Sequence, residues 1–111
     1  MKKAEIWYAN LSPTKGSEQS GHRPVLIVSG NLVNTYAPVI LVCPLTTKLK
    51  HYKGDLILHP TAENGLAEPS EVLAMHLRSI SRDRLEKRIG KINPKELSDL
   101  RKSLQDLLLL D

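Results

Sequence analysis

The chain has no phenylalanine, one tryptophan, three tyrosines and a single cysteine among its 111 residues. So few rings leave no evident stacking platform of the kind that many single-strand nucleic-acid binders use. One cysteine excludes an internal disulfide and any metal site built from clustered thiolates. Its apolar setting, ILVCPL, marks Cys43 as a buried structural thiol. No apolar run approaches the roughly 18 residues of a membrane span. The start, MKKAEIWYANL, turns polar before an apolar signal region forms, so the expectation is a cytoplasmic chain with no membrane partner. Asn10 to Ser12 has the form of a glycosylation acceptor, but Pro13 follows it and the chain reads as cytoplasmic, so it is discarded.

What is present is a modest basic excess, a formal charge of +4 and a pI near 9.3. It favours polyanionic partners. Lys48, Lys50, His51 and Lys53 crowd one expected loop, and Arg82, Arg84, Lys87, Arg88 and Lys91 crowd a second segment. Either cluster is a solvated surface first and a phosphate patch second. The length suits one domain over residues 1–111, with one core.

Residues 4–9, 24–29, 39–45 and 72–80 are rich in valine, isoleucine and leucine and bounded by turn formers, and read as strands. Residues 55–59 and 88–92 add two shorter ones. Near the C-terminus Asn93, Pro94 and Glu96 take the N-cap, first and third positions of a helix, a capping box with asparagine as its cap. Leu97, Leu100, Leu104, Leu107 and Leu108 then recur at helical spacing, while Leu109 and Leu110 leave apolar surplus for a dimer contact. Short helices are expected over 31–36 and, capped by Ser81, over 81–87. The fold class is mainly β within α+β: a small, strongly curved antiparallel sheet or barrel with short helices, closed by a C-terminal amphipathic helix.

Alternation along EVLAMHLRSI puts Leu73, Met75 and Leu77 on the core face and Val72, Ala74, His76 and Arg78 on the other. An antiparallel pair centred on the connection from Gly30 to Pro38 sets Arg23 opposite Thr46 at its open end. The segments SPTKGSEQSGH and TTKLKHYKGD leave from that end and bring Glu18, His22, Lys48 and Lys50 within reach. There is no GxxxxGK loop, no serine elbow, and no histidine or carboxylate set spaced for a metal, so neither a metal nor a cofactor is expected. A guanidinium offers fixed donors to a phosphate and can stabilise the charge of a phosphorane. That points to phosphodiesters. RNA brings its own nucleophile, the 2′-hydroxyl, which an enzyme need only align and neutralise around.

The run SPTKGSEQSGHRPVLIVS, with CPLTTKLKHYKGD and LRSISRDRL, resembles the MazF/PemK family of toxin endoribonucleases, over nearly the whole chain. The resemblance implies an SH3-like barrel, a homodimer, metal-independent cleavage of single-stranded RNA at short sequence motifs, and inhibition by an acidic MazE-like antitoxin. Arg23 matches the family's catalytic arginine and Thr46 its catalytic threonine. The implied roles are stabilisation of the phosphate with proton donation to the leaving oxygen for Arg23, and a hydrogen bond to the scissile phosphate for Thr46. Glu18 matches the glutamate of the GSEQ motif, with a role in holding its own loop as the plainer alternative. His22, Thr47, Lys48, Lys50, Lys53 and Arg78 are the expected RNA contacts.

The chain departs from the family where an acid and a glutamine usually precede the apolar-arginine segment: it has Met75 and His76. Either His76 takes over as general base, its ordinary pKa of about 6.5 being suited to that, or Arg23 and Thr46 supply most of the effect without a base. Two other functions remain open on sequence. One is a homologue that binds RNA or antitoxin without cleaving. The other is a CcdB-like gyrase-binding toxin, which shares the architecture but works through a tryptophan near its C-terminus, where this chain reads QDLLLLD.

Overall fold

Runs such as PVLIV and VILVCPL leave no polar alternation, which suits strands buried on both faces. The computed structural model describes residues 1–11 and 21–108. Its strands are β1 (Glu5–Asn10), β2 (His22–Ile27), β3 (Val39–Thr46), β4 (Leu56–Leu58), β5 (Ser70–Val72), β6 (Arg78–Ser81) and β7 (Leu85–Lys91). All pair antiparallel in one curled half-barrel ordered β4-β5-β3-β2-β1-β7, with β6 also on β3. Consecutive β2 residues serve opposite faces. Leu26 joins Ile6, Cys43, Leu45, Leu58, Val72, Ile92 and Leu100 in one buried cluster. Val25 and Ile27 join Ala9, Leu11, Ile40, Val42 and Ile80 in another.

Helix α1 (Asn31–Tyr36) bridges β2 and β3 as expected. Buried Asn34 secures it: its side-chain amide donates to Ser29 O at 2.8 Å, and its Oδ1 accepts from the Ser29 hydroxyl. Helix α2 (Pro94–Leu107) has the expected capping box, with Glu96 N–H donating to Asn93 Oδ1 at 2.8 Å and Asn93 N–H to Glu96 Oε1 at 2.9 Å. Leu100 is buried, and Leu97 and Leu104 pack beside it on the first cluster. Leu109 and Leu110, invoked for a dimer contact, lie outside the described residues.

Two expectations fail. The single strand over 72–80 is instead β5, a 3₁₀ turn over Ala74–His76, and β6. Asp55 Oδ1 accepts the Ala74 N–H at 3.0 Å, and the His76 N–H turns back to Leu73 O, so the pleat is interrupted. Val72, Leu73 and Ala74 are therefore buried in succession, while Met75, expected in the core, is 72% exposed. The helix expected over 81–87 is a single 3₁₀ turn, Arg82–Arg84, leading straight into β7, and Ser81 caps nothing with its side chain. The guanidiniums of that turn are strapped to neighbouring backbone, Arg82 to Thr35 O at 3.1 Å and Arg84 to Asn10 O at 3.0 Å, while β7 pairs with β1. Arg88 likewise meets Glu5 at 3.0 Å, so much of the second basic cluster is structural.

Behind β7 the turn over 61–65 is held by buried Asn64, whose Oδ1 accepts from Thr61 N–H and Leu66 N–H, both at 3.0 Å. Gly90 faces the backbone of Glu63 and Asn64 so closely that a Cβ there would overlap both. The Gly90→Ala protein is expected to lose about 1–3 kcal/mol, the usual cost of forcing atoms into a packed site. Urea unfolding checks it, through a lower midpoint at unchanged slope.

Candidate active site

The β2–β3 ladder pairs Val25 with Pro44, Leu26 with Cys43 and Ile27 with Val42. Extended by two residues at its open end, it sets Arg23 across from Thr46, as an antiparallel pair centred on the connection from Gly30 to Pro38 requires. Both side chains line a groove of about 260 Å³, with Pro24, Leu45, Thr47, Lys48 and Ser70 completing its wall. Strand β2 supplies the guanidinium, the end of β3 the hydroxyls, and the start of β5 the far rim.

The polar state of these groups is unusual for a protein surface. Arg23 is half-buried, and its Nε, shielded from solvent, has no hydrogen-bond partner among the described residues. Leaving a buried donor unmet costs about 1–3 kcal/mol. Thr46 is buried and accepts the Lys48 N–H on Oγ1 at 3.1 Å. With that lone pair occupied, its hydroxyl proton remains to be donated. Ser70 Oγ donates away from the groove to Glu68 O at 3.0 Å. Among the described residues no three His, Cys, Asp or Glu side chains cluster in metal-binding fashion. The groove's polar chemistry is thus that of a guanidinium, hydroxyls and an ammonium.

The remaining residues named from sequence are spread more widely. Glu18 lies outside the described residues. His22 is exposed at the start of β2, with Nδ1 2.7 Å from Glu86 Oε1. Lys53 lines a different groove of about 570 Å³, shared with Asp55, Met75, Lys102 and Asp106. Lys50 sits in the loop between β3 and β4. His76 and Arg78 do not stand side by side on one strand face. His76 is exposed on the 3₁₀ turn, and Arg78 opens β6, where it pairs with Val42. Val42 is four residues before Thr46, roughly 13 Å back along the strand. Neither His76 nor Arg78 lines the Arg23–Thr46 groove.

Sequence reasoning missed Ser70, Asp55 and Glu71. Glu71 is fully buried on β5, paired with Thr46, and its carboxylate accepts three consecutive N–H groups: Lys50 and His51 on Oε1 at 2.7 Å each, and Tyr52 on Oε2 at 3.1 Å. The available signal was a lone glutamate in an otherwise small and apolar run, SEVLA. Cys43 is buried as expected, and burial, with the Asp55 charge adding to it, pushes the thiol up to about 12.

Thr46→Val keeps the side chain's shape and removes the acceptor for the Lys48 N–H. About 1 kcal/mol of stability should go with it, read as a lower urea midpoint, with the Lys48 amide exchanging faster.

The comparisons with known proteins bear on family and fold. At the sequence level the chain is 34% identical to Endoribonuclease MazF9 of Mycobacterium tuberculosis, over 95% of this chain and 93% of that protein. Its fold superposes on MazF of Deinococcus radiodurans with a TM-score of 0.83 at 28% identity, covering 99% of this chain and 97% of the other. It also superposes on a MazE–MazF structure from the same organism, with a TM-score of 0.78 at 26% identity, covering 100% and 97%. The model of the family described as PemK-like, MazF-like toxin of type II toxin-antitoxin system matches residues 2–108. The match spans nearly the whole chain, and this chain belongs to that family.

Proposed function

We propose that this protein is the toxin of a type II toxin–antitoxin pair and cleaves single-stranded RNA at short sequence motifs without a metal. The observation that carries the reading is the groove where Arg23, with a buried Nε that has no partner among the described residues, faces Thr46 across the end of one ladder. Relatives named as endoribonucleases support the substrate class. In this reading the 2′-hydroxyl oxygen attacks the adjacent phosphorus and gives up its proton to solvent water, the described lining of the groove holding no imidazole or carboxylate. The bond from phosphorus to the 5′-oxygen breaks, and that oxygen takes a proton from water, leaving 2′,3′-cyclic phosphate and 5′-hydroxyl ends. Arg23 offsets the charge that builds on the phosphorane and hydrogen-bonds the departing oxygen. Thr46 donates to a non-bridging oxygen, and Lys48 and Thr47 hold the neighbouring backbone.

His76 is outside this groove, which supports the version in which alignment and charge supply most of the rate, with no dedicated base. Glu18 keeps a supporting role, on the family pattern of GSEQ. The cytoplasm is the place where such an activity meets messenger RNA. The partner is an acidic, MazE-like antitoxin, whose carboxylates suit the Lys48–Lys53 loop. A solved MazE–MazF pair among the similar structures supports this.

Incubation with single-stranded RNA in EDTA should yield fragments with 5′-hydroxyl ends, and a 2′-deoxy substitution at the scissile position should block them. Arg23→Ala should slow cleavage by about 10²-fold or more, the scale of losing one electrostatic donor, while His76→Ala stays close to wild type. Intact RNA with folded wild-type protein would reject the activity. A His76→Ala loss as large as that of Arg23→Ala would restore the histidine as base.

The same reading includes a homodimer. Leu32 (76% exposed) and Tyr36 (80%) on α1, with Val33 and the outward Val39 and Leu41 of β3, form the apolar surface that a second copy would cover. Light scattering should give a mass of two chains, and Leu41→Glu should shift it toward one; a wild-type monomer at all concentrations would refute the dimer.

A further inference from the structure

The buried Glu71 and the half-buried Asp55, behind the basic loop, lie outside the reaction described so far. Three consecutive N–H groups converge on Glu71. One of them belongs to His51, whose φ of 55° is the left-handed conformation that few residues with a side chain adopt. That backbone is therefore held in shape by the carboxylate beneath it. Asp55 closes the same loop. Its Oδ1 fixes the 3₁₀ turn through the Ala74 N–H, while its buried Oδ2 has no donor among the described residues.

We infer that Glu71 and Asp55 form a proton-sharing pair that positions the Lys48–Lys53 loop and the Ala74–His76 turn, and so sets which RNA sequences the groove accepts. The inference rests on the RNA-cleaving reading of that groove. Glu71 and Asp55 are positioning residues here, with no contact to substrate.

A proton on Asp55, directed at Glu71, meets the otherwise unmatched oxygen and removes the repulsion between the half-buried Asp55 and the buried Glu71 carboxylate. Burial, with the Glu71 carboxylate beside it, pushes Asp55 up to about 6. Burial would raise Glu71 too, but the Asp55 hydrogen bond and the N–H groups of His51, Tyr52 and Lys50 outweigh it and hold Glu71 below its ordinary value. The other charged or titratable groups around Asp55 are Cys43 on β3, which stays a neutral thiol, Lys53 on its own loop, and Lys102 and Asp106 on α2. For Asp55, whose value is raised, the stabilisation is complete below its ordinary value of 3.8 and is lost as pH rises through about 6. For Glu71, whose value is lowered, it is present above 4.5 and lost as pH falls below. The loop is therefore held best between those limits and loosens toward alkaline pH.

The test combines amide hydrogen exchange at residues 50–52, corrected for intrinsic rates, with cleavage of a randomised single-stranded RNA pool. Wild-type protection at these amides should fall between pH 5.5 and 7.5. Asp55→Asn, which mimics the protonated acid, should keep it at both. Glu71→Ala should lose about tenfold or more of that protection, since each carboxylate-to-amide hydrogen bond is of the stronger, charge-assisted kind. It should also relax the base preference around the cut and raise KM by more than it lowers kcat. If Glu71→Ala does not fold, Glu71→Gln, which retains one acceptor oxygen, is read in its place, with smaller losses in the same direction. Unchanged protection in the Glu71 variant overturns the inference, as does lost protection with an unaltered cleavage pattern. A folded wild-type protein that cuts no RNA rejects the activity and the specificity claim with it, while the exchange data separately decide whether the pair holds the loop.

Discussion

The register of β2 against β3 is the constraint on which the site depends. Val25, Leu26 and Ile27 of β2 and the run from Val42 to Thr46 of β3 are buried residue after residue, and neighbouring residues of β2 belong to different apolar clusters. A slip of one residue would turn Val25 and Ile27 into the space that fits Leu26, and would carry Cys43 and Val42 the wrong way as well. Packing in two cores thus fixes the ladder to a single residue. The consequence appears beyond the packed part, where Arg23 and Thr46 emerge from adjacent strand ends in the register that the ladder sets. A reaction that relies on alignment benefits from residues anchored in this way.

Charge in the region is arranged in layers. Toward the groove there are a guanidinium and an ammonium, and among its described lining residues no carboxylate. The acids lie underneath, with Glu71 sealed from solvent and turned to the loop backbone. A carboxylate in that place organises amides without offsetting the positive rim at contact distance. The arrangement carries a strain of its own, because a buried carboxylate and a half-buried neighbour cannot both ionise cheaply. The proton between them relieves it. Loop shape and proton occupancy are thereby linked through ordinary hydrogen bonding.

Much of this was legible in the sequence because it followed from periodicity and end signals. The Asn93 cap with Pro94 and Glu96, the leucine stripe, the buried Cys43 and the Arg23–Thr46 juxtaposition all depend on local chemistry or on one hairpin symmetry. What was not legible depended on a side chain from far along the chain. Asp55 takes the Ala74 N–H and breaks a pleat that, on residues 72–80 alone, looked continuous, and this is why Met75 points outward and His76 leaves the face of Arg78. The turn at 82–84 was misread for the same reason, since its arginines answer to carbonyls of Thr35 and Asn10. Glu71 gave only a weak sign, a charge in an apolar run, whose meaning requires knowing which amides come to meet it.

These misreadings bear on the chemistry. Had residues 72–80 been one flat strand, His76 and Arg78 would have shared a face, and an imidazole acting as base would have been a natural companion to the guanidinium. The turn separates them and leaves the described wall of the groove without imidazole or carboxylate. In the proposed reaction the work then falls on a guanidinium, hydroxyls and an ammonium. Loss of one such donor typically costs 10²–10³-fold, and alignment of an internal nucleophile contributes on a comparable or larger scale. A substrate that carries its own hydroxyl beside the phosphate needs little more. The economy of the site, one guanidinium and one hydroxyl on a rigid ladder beside a shaped basic loop, matches a substrate that supplies its own nucleophile.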